Sequence, residues 1–288
     1  MKKSASRRDR PAQADEWLRL VPMWLHGKPE STRSVYEPEI KAFRKYIGTK
    51  QISRVTLADL QGWADSLAGD KPRTVARKLS TIKSLLTFCF KTGLMRRNVG
   101  VLLKLPRIPD DLTERILDEQ AISNIIDHEL NARNNVLLRL FYLSGIRAAE
   151  AASLRWMDVK PRDKGEGQIT VLGKGSKTRP IRISKTMLDN LAAICPENYK
   201  GVDPVFARYD GKPLTRFAVT KVVSHAARRV GLEHVSAHWL RHAHATHALE
   251  HGAPLPLIQK TLGHADISTT GRYLHARPDD SSGRYLKP

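Results

Sequence analysis

Six residues of this chain could together break a phosphodiester without a metal: Arg147, Lys174, His238, Arg241, His264 and Tyr273. A phosphodiester attacked by an oxygen passes through a five-coordinate, dianionic transition state, and donors on the protein can hold that charge. Arginine suits the task, being always charged and presenting a fork to two oxygens at once. His238 lies three residues before Arg241, so on a helix both share a face, and it can bond the phosphate or accept a proton. His264 follows Gly263 at the end of an apolar helical stretch (Leu255, Leu257, Ile258, Leu262), where a helix end can present it to the same phosphate. Lys174 stands between Gly173 and Gly175 and can protonate a departing 5′ oxygen, which leaves poorly as an alkoxide; Lys177 is its nearest competitor. Tyr273 is the candidate nucleophile. A phenol has a pKa of about 10, so it needs nearby cations or a base to attack. Its product, a phosphotyrosine ester, keeps the energy of the broken bond, so strands can rejoin without ATP.

Each of these residues alone has an ordinary reading. A lone arginine among 49 Lys and Arg is a surface ion pair, a lone histidine a satisfied structural residue, a turn lysine a solvated charge. Their order decides: Arg, Lys, His-x-x-Arg, Leu-Gly-His, then Tyr. SGIRAAEAASLRWMDV (144–159), VLGKGSKTRPIRI (171–183) and AHWLRHAHATHALEHGAPLPLIQKTLGHADISTTGRYLH (237–275) closely resemble the first box, the lysine hairpin and the second box of the tyrosine recombinase (phage integrase) family.

That resemblance implies a mainly α fold with a small β-sheet in the catalytic domain. A helical core-binding domain and the catalytic domain would form a two-domain C-shaped clamp on double-stranded DNA. Arg147, Lys174, His238, Arg241 and His264 would activate the phosphate, Tyr273 would attack it, and Glu150 would orient the site. The resemblance also implies a homo-oligomer, four protomers on two paired sites, alone or with a related second recombinase. The strands would exchange through a Holliday junction, with no metal or nucleotide cofactor. The chain departs from the family pattern at Ser144 and Ile146 (often Thr and Leu), at Ala148-Ala149, at His244 (usually aromatic) and at the bulky Trp239. None of the six catalytic positions is substituted.

The elements that must position these residues can be read in outline. Residues 1–14 are basic and polar, without the apolar segment of a signal peptide, and read as a disordered arm. Residues 15–105 read as a helical DNA-binding domain. Tyr36, Ile40, Phe43 and Ile47 fall on one helix face. Thr56-x-x-Asp59 caps a second helix with Leu57, Leu60, Trp63 and Leu67 inward. Pro72 opens a third, with Val75, Leu79, Ile82, Leu86 and Phe90 inward. Its outward face carries Arg73, Arg77, Lys78, Lys83 and Lys91, expected along the DNA backbone. Residues 106–114 hold two prolines and an acidic pair that break periodicity, and read as a linker. Residues 115–288 are the expected catalytic domain. It contains an apolar helix ending at Ser144-Gly145, a helix with Arg147 and Glu150 on one face, a hairpin from Gly167 to Ile183, and further helices. Lys177 and Arg179 of the hairpin are expected DNA contacts. The stretch before Glu16 leaves no room for an arm-type DNA-binding domain, which favours a simple recombinase of the Xer or small mobile-element kind.

Composition sets the class. Lys plus Arg is 49 against 29 for Asp plus Glu, a net charge of +20, which points to a polyanionic partner. The two cysteines, Cys89 and Cys195, form no CxxC pair and read as buried thiols of a reducing compartment. No apolar run approaches the roughly 20 residues of a membrane span, so a cytoplasmic, nucleoid-associated protein is expected.

Three rival readings compete. His238, His242, His244, His247 and His251 on one helix could ligate zinc in a metal-dependent nuclease, yet no carboxylate is interleaved before Glu250; in the recombinase reading His242 and His247 are structural and His251 is exposed. A non-catalytic DNA-binding regulator would satisfy the charge but has no use for the six residues. A topoisomerase would share the site and differ in assembly.

Overall fold

The computed structural model describes residues 15–108, 116–173 and 177–263. The chain divides into two compact units, Met1–Asp110 and Asp111–Pro288.

The first unit is helical. α1 (Glu16–Leu25), α2 (Glu30–Ile47), α3 (Leu57–Ser66) and α4 (Pro72–Lys91) surround Trp17, Leu20, Phe43, Leu60, Trp63, Leu79, Ile82 and Leu86. Phe43 lies between Trp17 and Trp63, with ring centroids 6.1 and 4.7 Å away. Tyr36 stacks on Trp24 at 4.9 Å. The capping box is present: Asp59 accepts from the Thr56 N–H at 2.8 Å, and Thr56 Oγ1 accepts from the Asp59 N–H at 3.2 Å. Pro72 stands at the first turn of α4, where its missing N–H costs nothing.

Part of the charged face of α4 is paired within the unit. Arg77 donates to Glu39, a carboxylate of α2 that is only 4% exposed, and Thr81 donates to the other oxygen of the same group. A buried carboxylate must be paired, and this pair bolts α2 to α4. Lys78 reaches Asp70 at 2.6 Å, and Lys83 caps the Leu103 carbonyl. Arg73, Arg77 and Lys91 are exposed, and Lys78 and Lys83 are half-buried. Phe90 is 45% exposed rather than inward. The buried stripe runs through Leu85, Leu86 and Cys89, and one more residue turns the helix by about 100° toward solvent.

The second unit holds a three-stranded antiparallel sheet of order β1-β2-β3: β1 Val159–Pro161, β2 Gly167–Leu172 and β3 Thr178–Ile183. Gly167, Ile169 and Val171 are buried at period two, with Ile169 opposite both Val159 and Ile181. The short β1 was not foreseen, because three residues carry no readable alternation. Helices pack around the sheet: α5 (Glu119–Asp127), α6 (Ala132–Ser144), α7 (Ala148–Ser153), α8 (Lys185–Ala193), α9 (Arg216–Arg229), α10 (Ala237–Glu250) and α11 (Leu255–Leu262). α10 is the central one and packs most heavily on α6. It buries Leu240, Ala243 and Ala245, and also Arg241, His242 and His247. α11 is seated on α10 through Ala245, Leu249, Ile258 and Leu262. Trp239 packs against the unit's core.

Among the described residues no helix is long and apolar enough to cross a membrane. Cys89 is wholly buried, and burial pushes its thiol up to about 11. Cys195 is half-buried.

Candidate active site

The site begins at a glycine. α6 ends with Gly145 in the left-handed region, at φ 60°. A Cβ there would come 2.6 Å from Leu262 Cδ2 and 2.7 Å from His244 Cδ2, so a side chain would displace both and strain the backbone, which favours glycine. Two residues later Arg147 sits just before α7 as its cap rather than within it. Glu150, expected on the same helix face, reaches back instead. Its carboxylate accepts from the Arg147 N–H at 2.8 Å and from Arg147 Nη1 at 2.8 Å.

The same carboxylate takes a fork from β3. Arg179 Nη1 and Nη2 lie 2.8 and 2.9 Å from its two oxygens. Arg179, expected as a DNA contact, is bonded within the fold. Its side chain is 14% exposed, and its guanidinium is committed to Glu150 and to the Thr261 carbonyl at 2.7 Å. Burial alone would push the Glu150 carboxyl up, but the bonds from Arg179 and from the Arg147 N–H outweigh it and hold the group below its ordinary value. A carboxylate depressed in the fold stabilises the protein above its unfolded pKa of about 4.3, and that contribution fades as pH falls through the folded value. Glu150→Gln is therefore expected to lower stability at pH 7 by about 1–3 kcal/mol, with the deficit shrinking below about pH 4. Urea melts of both proteins across pH check this; a deficit that does not change with pH would exclude the ionised pair.

Three arginines converge on the end of α11. Arg179 donates to the carbonyl of Thr261, Arg241 Nη2 to that of Leu262 at 2.7 Å, and Arg147 Nη2 to that of Gly263 at 3.2 Å. The last carbonyls of a helix have no partner within it and carry its partial negative charge, so they are natural acceptors for guanidinium. Arg241, 2% exposed, also donates to the Gly145 carbonyl through Nη1. It thus ties the Arg147 turn to α11.

Arg147, His238 and Arg241 line one cleft, joined by Arg216, Thr220 and Ser236. His238 is exposed and meets His242 edge-to-face at 4.1 Å. Arg216 and Thr220 escaped the sequence reading. The available signal was a Thr215-capped helix with Arg216 and Thr220 four apart on one face. His244, in the usually aromatic position, touches the tight Gly145 turn and sets its Nδ1 2.7 Å from the Tyr142 carbonyl. Burial, and the neighbouring Arg241 and His247, lower its pKa against the opposing carbonyl bond. His247 Nδ1 lies 3.0 Å from the Tyr142 hydroxyl, and His251 is exposed near Glu119 at 3.4 Å. The histidines of α10 thus point to different partners, and no group of three metal-ligating side chains forms among the described residues. Lys177 is exposed, and its carbonyl accepts from Gly173 at 2.8 Å to close the hairpin. Lys174, His264 and Tyr273 lie outside the described residues.

Comparison with known proteins places this geometry. The phage integrase family matches residues 111–279, and the phage integrase N-terminal SAM-like domain matches 27–93. Tyrosine recombinase XerC of Xylella fastidiosa (strain M23) is 34% identical over 260 residues, covering 86% of this chain and 87% of that protein. Tyrosine recombinase XerD of Proteus mirabilis is 31% identical over 273 residues, covering 89% and 86%. A lambda integrase(75-356) dimer bound to a COC′ core site matches with a TM-score of 0.74 at 17% identity, over 92% of this chain and 96% of that one; at that identity it speaks to the fold. This chain belongs to the phage integrase family, as a tyrosine recombinase of the Xer type.

Proposed function

We infer that this recombinase cleaves and rejoins duplex DNA through a covalent 3′-phosphotyrosyl intermediate, in integration, excision or dimer resolution. The observation that carries the residue roles is that Arg147 and Arg241, from separate elements, line one cleft with His238. The hydroxyl oxygen of Tyr273 attacks the scissile phosphorus and its proton passes to His238. The bond from phosphorus to the 5′ oxygen breaks, and Lys174 protonates that oxygen as it leaves. Arg147, Arg241 and His264 hold the non-bridging oxygens. In the reverse step a 5′-hydroxyl of the partner strand attacks the phosphotyrosine, and the tyrosine leaves.

Both units would contact double-stranded DNA, with Arg73 and Lys91 on the backbone. Four protomers, alone or with a related second recombinase, would bring two sites together. The protein would act in the cytoplasm, on the nucleoid.

Covalent capture tests the reading. The protein is incubated with fragmented genomic DNA in EDTA, denatured, and the linked DNA is sequenced. Adducts at a common sequence, formed as fast in EDTA as with Mg²⁺, are expected; cutting only when metal is restored would favour the nuclease. Site affinity should fall steeply with salt. A slope of log K on log salt of about −5 or steeper is expected for a surface that displaces counterions from six or more phosphates, and a shallow slope would remove the backbone-tracking part of the reading.

A further inference from the structure

Among the described residues, the Arg179 guanidinium meets three segments that flank the proposed chemistry: α7 through Glu150, the end of α11, and the root of its own hairpin. Its fork holds Glu150, which in turn holds Arg147 by side chain and main chain. Its Nε holds the Thr261 carbonyl, three residues before His264. Gly173, the residue before Lys174, lies against the pair: a Cβ there would come 3.5 Å from Arg179 Nη1 and 3.8 Å from Glu150 Oε1. Gly263, the residue before His264, has its Cα face on the guanidinium, with a would-be Cβ 3.1 Å from Arg179 Cδ, Nε and Cζ. Its φ of 65° excludes a side chain as well. Gly263 thus lets the backbone lie close on the cation, and Gly173 lies at ordinary contact distance from it.

We propose that Arg179 is a positioning residue for strand cleavage: it sets Arg147, through Glu150, in register with the end of α11 and with the root of the lysine hairpin. The proposal rests on the assignment of Arg147 to the phosphate. A planar fork is required for this. Lysine offers a point charge and cannot bond two carboxylate oxygens and a carbonyl in fixed directions. A misplacement of about 1 Å at a reacting group costs on the order of 100-fold in rate.

The test is single-turnover covalent trapping by the full-length chain at saturating protein, on a nicked duplex carrying the sequence recovered by covalent capture. Arg179→Lys is expected to trap at least about tenfold more slowly, and Arg179→Ala about 100-fold. Site affinity should stay near wild type, and so should the fraction of molecules that finally react. Added guanidinium ion should speed Arg179→Ala and not wild type. In a Glu150→Gln background, Arg179→Lys should cost less than in wild type, because the two act through one contact. A rate loss that vanishes at higher protein concentration would make Arg179 a DNA contact and overturn the proposal. So would a lower final yield at wild-type rate, with a lower Tm, the mark of a merely structural role. If Arg179→Ala does not fold, Arg179→Lys decides alone. Arg147→Ala is run beside them. Normal trapping by that variant would defeat the site assignment itself, whereas its failure together with normal trapping by both Arg179 variants would defeat this inference only.

Discussion

Tyr273→Phe is expected to abolish denaturation-resistant protein–DNA adducts and recombinant product while leaving site-selective binding within about tenfold of wild type. The change removes one oxygen. A single neutral hydrogen bond is worth about 0.5–1.5 kcal/mol net, which bounds the loss of affinity to roughly that factor. The loss of chemistry has no such bound, because phenylalanine offers no atom to attack phosphorus. Removing a nucleophile outright costs on the order of 10⁶ in rate where the remaining groups cannot substitute for it. Separation of the two effects is what distinguishes the recombinase from the regulator, for which phenylalanine would change nothing. The measurement is gel-shift affinity and covalent yield on the same DNA preparation. Persistent adducts in Tyr273→Phe would move the nucleophile elsewhere, and Tyr285, twelve residues on in the sequence, would be examined next.

The chemistry was more legible in the sequence than the scaffolding that supports it. Local rules carried far: the Thr56–Asp59 box, Pro72 at the start of α4, Gly145 closing α6 and the β2–β3 hairpin all follow from short-range sterics and hydrogen bonding. Partner choice did not. Arg77, Lys78, Lys83 and Arg179 read as a basic surface because charge and periodicity say only that a side chain points away from the apolar stripe. That Arg77 meets Glu39 and Arg179 meets Glu150, 38 and 29 residues away, depends on how helices and strands pack, and no local pattern encodes it. A buried glutamate such as Glu39 is the clue available afterwards, since an ionised carboxylate without a partner is too costly to bury. Arg216 was overlooked for the opposite reason: an arginine on the outer face of a helix start looks the same whether it borders a cleft or solvent.

Arg147 and Arg241 separate by the same logic, which yields a second large effect. Replacing either with alanine is expected to slow covalent trapping by about 10²–10³, the usual loss when one preorganised donor to a developing oxyanion is removed. Stability should part them. The Arg147 side chain is 38% exposed, and without it Glu150 keeps the Arg179 fork and the main-chain N–H of residue 147. The Tm of Arg147→Ala should stay close to wild type. Arg241 is buried and serves the carbonyls of Gly145 and Leu262. Its loss strands acceptors in a closed interior, at about 1–3 kcal/mol for each. At about 2–4 °C per kcal/mol for a unit of this size, Arg241→Ala should melt on the order of 5–15 °C lower. Equal Tm values for the two variants would mean that the bracket between the Gly145 turn and α11 carries no weight. Wild-type trapping by either would remove that arginine from the phosphate. The pairing of these outcomes matters, because a purely catalytic arginine and a purely structural one each predict only half of what Arg241 should show. Its position inside the bracket, with its guanidinium at the cleft, makes one residue answer to both measurements.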